Sequence, residues 1–397
     1  MKILENKSKY MKNYKVLMSL RLLKNILATF IDSFLVLYFL TISENNIIPF
    51  GIYKLIAVST IFLTMFLLRN LCKSEYRKFI LIFGILFDLL YFLAIIILQE
   101  KVIDYAYLLG ILYGIEEGLY YSVFNSFESD GVDNKNRAKY YGNLKVYNSI
   151  LSVIFPIFFG SIIAKTGFIK SLFIVIIIVI LRVLMAFFFE DKNIPKENKT
   201  NLKVCLKIIK EEKEIKQLFK INFYDGLTYS NGAFKNIITI YIIKVFSDSF
   251  SLGIFTSIFS LIAGLMGYLF AHFIKRKEYP YIIRFTMTFT ICSLIILIIK
   301  CNVITIIVFN LFQTISNTLL GLINDYSKAN LSNIKSIRTK YKIEYYIFSD
   351  FYLFLGRVLS YVLFILIAFI GEIFIIPFFI MALILLTYNS IKLQKLI

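Results

Sequence analysis

Among the ionisable side chains inside long apolar runs, Asp32, Glu116, Glu117, Lys235, Asp350 and Arg357 are the candidates for chemistry. An ionised group at mid-bilayer costs about 2.5–3.5 kcal/mol or more, so each needs a partner, water or a proton. That requirement points to proton movement or ion-pair switching and away from bond-making chemistry. Glu116 and Glu117 are adjacent, so on a helix they point about 100° apart and one of them faces any central cavity. Two close carboxylates suit a proton carrier or a cation site. The plainer alternative is a buried Glu paired with Lys145 or bonded to Tyr113 or Tyr120. Asp350 and Arg357 are seven apart, on one helix face two turns from each other, as gate or brace.

The remaining chemistry-bearing residues narrow the choice. Asp88 is central in its run, and structural pairing is expected of it. Arg182 lies near one end and is expected to snorkel, and Lys54 reads as a boundary residue. His272 is the only histidine, and Cys72, Cys205, Cys292 and Cys301 show no CxxC spacing. Hence no metal site, disulfide framework, Ser-His-Asp triad or His-based acyltransfer is indicated, and no cofactor is expected. No phosphate loop is present, so ATP does not drive the protein directly.

The elements that must position these residues follow from composition. The chain of 397 residues is 59% hydrophobic, with a mean hydropathy of +0.76, well beyond a soluble domain of that size. The expected fold is an all-α polytopic membrane protein of twelve spans, at 17–41, 49–69, 78–99, 103–125, 141–164, 168–189, 219–244, 251–274, 280–299, 302–324, 345–369 and 372–391. The first run has no small-residue cleavage site after it and reads as a retained span. A basic seam interrupts the series, dividing it into 1–189, a linker over 190–218 and 219–397. Within the linker, Thr200–Gln217 reads as one amphipathic helix with Leu202, Leu206 and Ile209 on one face. Lys207/Glu211, Lys210/Glu214 and Glu212/Lys216 are its i,i+4 pairs. It is expected to lie along the membrane surface or to act as a solvated tether.

The net charge of +19 does not mark a nucleic-acid binder, because the Lys and Arg sit beside the spans. With both termini cytoplasmic, thirty-one Lys and Arg fall on the inner side and five in outer loops, as the positive-inside rule requires. Usage rich in Ile, Lys, Asn, Phe and Tyr, without Trp, fits an AT-rich bacterial genome, so the expected location is a bacterial plasma membrane.

The two halves repeat at an offset of about 202. Tyr38 falls on Tyr241, Gly51 on Gly253, Glu75 on Glu278 and Arg137 on Arg338. In the same register Asp32 falls on Lys235. A carboxylate and an ammonium so placed predict a pair that protonation opens, with a permanent structural ion pair as the alternative. Such parallel repeats are one transporter architecture.

Six plus six spans, the basic central loop, and basic loops after spans 2 and 8 resemble the major facilitator superfamily (MFS) over essentially the whole chain. The loop LLRNLCKSEYRKF keeps basic residues and Glu75 where that family has a Gly- and Asp-containing motif. The span-4 Arg of antiporters is replaced in LYGIEEGLYYSVFN by two Glu. The resemblance implies alternating access, with spans 1, 4, 7 and 10 lining a cavity. It also implies cytoplasmic gate loops carrying Arg69, Lys73, Glu75, Arg77, Lys277 and Glu278. The expected function is proton-coupled secondary transport by a monomer, exporting a small amphipathic or cationic compound. An importer of a sugar or amino acid and a non-transporting membrane partner are the alternatives. A lipid-processing membrane enzyme would need catalytic residues clustered at one membrane face, which the sequence does not display.

Overall fold

A computed structural model of the chain describes residues 2–73, 75–131, 134–191, 200–228, 232–246, 248–332, 342–370 and 376–396. Among them there is no strand; apolar runs this long satisfy their backbone groups within helices. The first part holds α1 (Lys2–Phe30), a π-helical turn (Ile31–Leu35), α2 (Val36–Ile42), α3 (Ile48–Leu68), α4 (Arg77–Leu98), α5 (Ala106–Gly131), α6 (Asn134–Thr166) and α7 (Phe168–Phe187). The second holds α8 (Leu202–Glu211), α9 (Lys213–Thr228), α10 (Ala233–Phe246), α11 (Ser249–Phe273), α12 (Tyr279–Ile299), α13 (Val303–Ser332), α14 (Lys342–Ile370) and α15 (Ile376–Leu396). Gly167, with φ of 85°, makes the tight turn between α6 and α7, a conformation that L side chains resist.

The chain divides into two compact units. One comprises Met1–Asn45, Ile52–Lys199 and Ser249–Ser257; the other comprises Asn46–Gly51, Thr200–Asp248 and Ile258–Ile397. Packing inside each follows one scheme. In the first unit α1 packs on α6 and α7, and α4 packs on α5 and α7. In the second, α9 packs on α14 and α15, and α12 packs on α13 and α15.

Ten helices among the described residues are long and apolar enough to cross a membrane, where twelve spans are expected. The two segments that fall short do so for identifiable reasons. One is α5, whose 26 residues include Glu116 and Glu117 among glycines and tyrosines that lower its hydropathy. The other is 219–244, expected as one span and carried instead by α9 and α10, of 16 and 14 residues. Ser360 of α14 serves both sides of that interruption: its Oγ donates to the Leu227 carbonyl at 2.8 Å and accepts from the Ala233 amide at 2.9 Å. Broken helices persist at membrane depth only where side chains re-satisfy the freed backbone groups, and one buried hydroxyl does so here.

The linker also differs from expectation. Its helix ends at Glu211, Glu212 is extended, and a new helix starts at Lys213. The break removes the helical geometry expected for Lys210/Glu214. Asn201 caps α8 by accepting from the Val204 amide at 3.3 Å, and its own amide donates to Glu344 Oε1 at 2.9 Å.

Candidate functional site

The site in the first unit begins with glycines. Gly110, Gly114 and Gly118 form a stripe four residues apart along α5 and lie against α3. A Cβ at Gly110 would come within 2.6 Å of the Tyr53 carbonyl, at Gly114 within 2.5 Å of Thr60 Cβ, and at Gly118 within 2.6 Å of Thr64 Cβ. Small residues at four-residue spacing let helix backbones meet in membranes. Gly84 of α4 approaches α5 from another side, facing the Tyr120 amide and the Glu116 carbonyl. The helix carrying Glu116 and Glu117 is thereby fixed on two sides.

The cation that meets these carboxylates is Lys24 of α1, a residue the sequence analysis passes over. Its Nζ donates to Glu116 Oε2 at 2.5 Å and lies 2.7 Å from Glu117 Oε1. The side chain of Lys145, one of the alternative partners weighed on sequence grounds, lies outside the described residues. Glu116 is in turn 3.7 Å from Arg182 Nη2, and Arg182 Nη1 donates to Asp88. The expected pairing of Asp88 is thus found, whereas Arg182 does not snorkel: it is fully buried, held by two carboxylates. The five groups form a ladder of alternating sign, Asp88–Arg182–Glu116–Lys24–Glu117, joining α4, α7, α5 and α1. It holds one carboxylate more than it has cations. Asp88 Oδ1 and the Tyr120 hydroxyl are buried without a hydrogen-bond partner among the described residues, a state rare enough to call for a reason. Glu117 is the most accessible rung, its side chain 11% exposed against 0% for Glu116.

Tyrosines surround the ladder. Lys24 lies over the rings of Tyr113 and Tyr120, at 5.8 and 5.6 Å. Lys54 is buried rather than at a boundary, its ammonium over Tyr53 and Tyr113 at 5.4 and 5.6 Å. Both are within cation–π range. The Tyr53 and Tyr91 hydroxyls share a hydrogen bond of 2.9 Å. Asp32 is half-buried in the π-helical turn, a distortion that frequently marks functional positions in helices.

Against this geometry the comparisons with known proteins are informative. The family model described as "Major Facilitator Superfamily" matches residues 20–334. The chain belongs to the Major Facilitator Superfamily. A Bacillus subtilis (strain 168) relative, "Uncharacterized protein YqgE", is 23% identical over 332 residues, spanning 82% of this chain and 75% of the relative. Among solved structures, a bacterial homologue of the iron transporter ferroportin in an inward-facing state is similar with a TM-score of 0.65 at 14% identity, covering 97% of this chain and 99% of that one. A bacterial metal transporter gives 0.63 at 14% identity, covering 96% and 98%. The ferroportin homologue in an outward-facing state with soaked iron gives 0.61 at 14% identity, covering 96% and 99%. At that identity the likeness concerns the fold. The protein is therefore a multi-pass membrane transporter of MFS type.

The other sequence-derived positions are distributed over both units. In the loop after α3, Arg69 Nη1 donates to the Phe66 carbonyl at 2.6 Å, with the guanidinium 4.3 Å from the Phe66 ring. The Lys73 side chain lies outside the described residues, and Glu75 is exposed. Arg77 is only 1% exposed and grips Asp191 with two bonds of 2.5 Å, Nε to Oδ2 and Nη2 to Oδ1. Asn13 bonds both the carbonyl and the amide of Glu190, at 2.8 and 3.3 Å, so the start of the linker is held by α1 and α4. In the second unit, Lys277 is exposed and Glu278 accepts from the Lys275 amide at 2.9 Å. Lys235 on α10 and Asp350 and Arg357 on α14 are half-buried. Beside Arg357, Gly356 packs on the Phe223 carbonyl and Gly226 on the Leu353 carbonyl, where α9 and α14 meet most closely.

Proposed function

We propose that this MFS protein is a proton-coupled secondary transporter, working by alternating access and exporting a small amphipathic or cationic compound. Proton coupling is supported above all by the surplus carboxylate of the ladder. A buried cluster with one anion too many is relieved by binding one proton, and its outermost rung, Glu117, is the member placed to exchange it. Lys24 holds Glu116 and Glu117 at once, so protonation of either frees the ammonium to strengthen its bond to the other. For the cargo, support comes from Tyr113 and Tyr121, which flank Glu117 one turn away on either side along α5; aromatic rings around a carboxylate suit a cation with an apolar body. Asp32 and Lys235, at repeat-related positions, are proposed as a second proton-switched pair. Asp350 and Arg357 are proposed for the same pathway, and Arg69, Lys73, Glu75, Arg77, Lys277 and Glu278 as parts of the cytoplasmic gates. The proposed setting is a bacterial plasma membrane, with the protein acting as a monomer.

The deciding experiment uses purified protein in liposomes with an imposed pH gradient and a fluorescent lipophilic cation. Gradient-driven dye movement is expected, and Glu117→Gln is expected to abolish it while the protein keeps its fold. Transport by Glu117→Gln that still responds to the gradient sinks the reading. The structural neighbours, a bacterial homologue of an iron transporter and a bacterial metal transporter, suggest a second one, a metal cation as cargo. Against it, both glutamates already hold Lys24; uptake of iron(II) or manganese(II) by the same vesicles, without dye movement, would favour it.

A further inference from the structure

The linker helices carry a feature that transport does not use. Lys203, Lys207, Lys210, Lys213, Lys216 and Lys220 follow one another at intervals of three or four residues, and all six are exposed. At about 100° per residue, the three on α8 fall within roughly 60° of arc, as do the three on α9. On α9 the opposite face is buried, with Ile215, Leu218 and Ile221 in the core, so its lysines have only one direction available. On α8, Ile209 is buried while Val204 and Leu206, each 39% exposed, lie beside the lysines. Asn201 caps this helix, and through its amide the helix start is tied to Glu344 at the base of α14. The lysine face is therefore presented by an ordered element fastened to the membrane-spanning unit.

We propose that α8 and the first turns of α9 form a docking face for the headgroups of anionic phospholipids in the bilayer that holds the protein. Charge complementarity supplies the attraction, because a juxtamembrane cluster of four to eight Lys or Arg is drawn to an anionic leaflet. Val204 and Leu206 fit the same occupant, since exposed apolar groups beside lysines enter the headgroup–acyl boundary of a lipid surface. A soluble polyanion would leave those two side chains in water. The extended residue Glu212 separates α8 from α9, so α8 need not continue the direction of α9, whose opposite face is buried in the unit.

The test is hydrogen–deuterium exchange over residues 202–216 in the full protein, held in nanodiscs of phosphatidylglycerol mixed with phosphatidylcholine or of phosphatidylcholine alone. Exchange is expected to be several-fold slower with phosphatidylglycerol, and the difference is expected to vanish in the variant Lys203→Gln, Lys207→Gln, Lys210→Gln. Each such change loosens attachment by up to about fivefold, the equivalent of roughly 1 kcal/mol per lysine. The unmodified protein gives an independent check, because about 0.5 M salt shrinks the screening length to a few ångströms and should erase the difference as well. Equal exchange in the two lipids, or protection that survives high salt, overturns the proposal.

Discussion

The two units follow the same packing scheme but differ at the positions where the first holds its buried charges. In the first, α1, α4, α5 and α7 are joined by Lys24, Asp88, Glu116, Glu117 and Arg182. At an offset of 202 the positions of Lys24, Asp88, Glu116 and Arg182 are taken in the second unit by Gly226, Thr290, Thr318 and Ile384. Neutral joints are found there among the described residues. Gln217 Nε2 donates to Asn389 Oδ1 at 2.6 Å, Asn222 Nδ2 to Ser349 Oγ at 2.8 Å, and Asn236 Nδ2 to the Tyr361 hydroxyl at 2.8 Å. The same arrangement of helices thus packs without a single rung of the ladder. Buried ion pairs are weak contributors to stability against well-packed neutral groups. Their presence in one unit and replacement in the other is best explained by a task beyond packing.

That contrast can be attacked directly. Replacing Lys24 by Met leaves Glu116 and Glu117 facing each other without their cation, and a broken buried pair typically costs 3–5 kcal/mol. Thermal unfolding of the purified protein followed by circular dichroism should register the largest loss of any single change considered. Adding Glu117→Gln restores the original charge excess and should recover part of that loss. If Lys24→Met unfolds like the unmodified protein, the ladder is not the buried network described. Gly114→Val comes next, because added methyl groups meet Thr60 and the Ala57 carbonyl; overpacking of this kind costs about 1–3 kcal/mol. The same unfolding measurement applies, and Gly321→Val, where a Cβ meets nothing within 4 Å, is its control.

Smaller effects belong to the second unit. Ser360→Ala leaves the Leu227 carbonyl and the Ala233 amide without their shared hydroxyl, at about 1–3 kcal/mol. Faster amide exchange at Ala233 is the specific signature, and unchanged exchange would show that the interruption is closed by other groups. Gln217→Leu removes one neutral joint and should cost about 1 kcal/mol, several-fold less than Lys24→Met. Equal losses from the two would erase the distinction between the cores.

The sequence made the class of fold readable because spans, basic loops and repeat are patterns of many residues. Glu116, Glu117 and Asp88 were also legible, since a carboxylate deep in an apolar run has no cheap explanation. Their cations were harder to see. Lys24 lies a few residues inside the first run, just beyond Arg21, and reads as part of the positive margin that flanks any span. Arg182 was set aside for the same reason, because long basic side chains near a membrane edge have an escape that carboxylates lack. The ladder needed four helices to be brought together, and no local pattern encodes that. The Gly110, Gly114, Gly118 spacing was available in the sequence as a signal that α5 lies against a neighbour. The interruption before Ala233 also had a local signal, since Ser230, Asn231 and Gly232 are turn-forming residues inside a run drawn as one span; that Ser360, far along the chain, bonds both sides of it was not legible.

The three-glycine seam carries one more implication. The Tyr53 carbonyl and the β carbons of Thr60 and Thr64 stand where Cβ atoms of α5 would be, so the two helices interlock along this seam. They are obliged to travel as a single plank. Tyr53 and Lys54 belong to that plank, so wherever α5 goes they stay beside its Tyr113, one turn from Glu117.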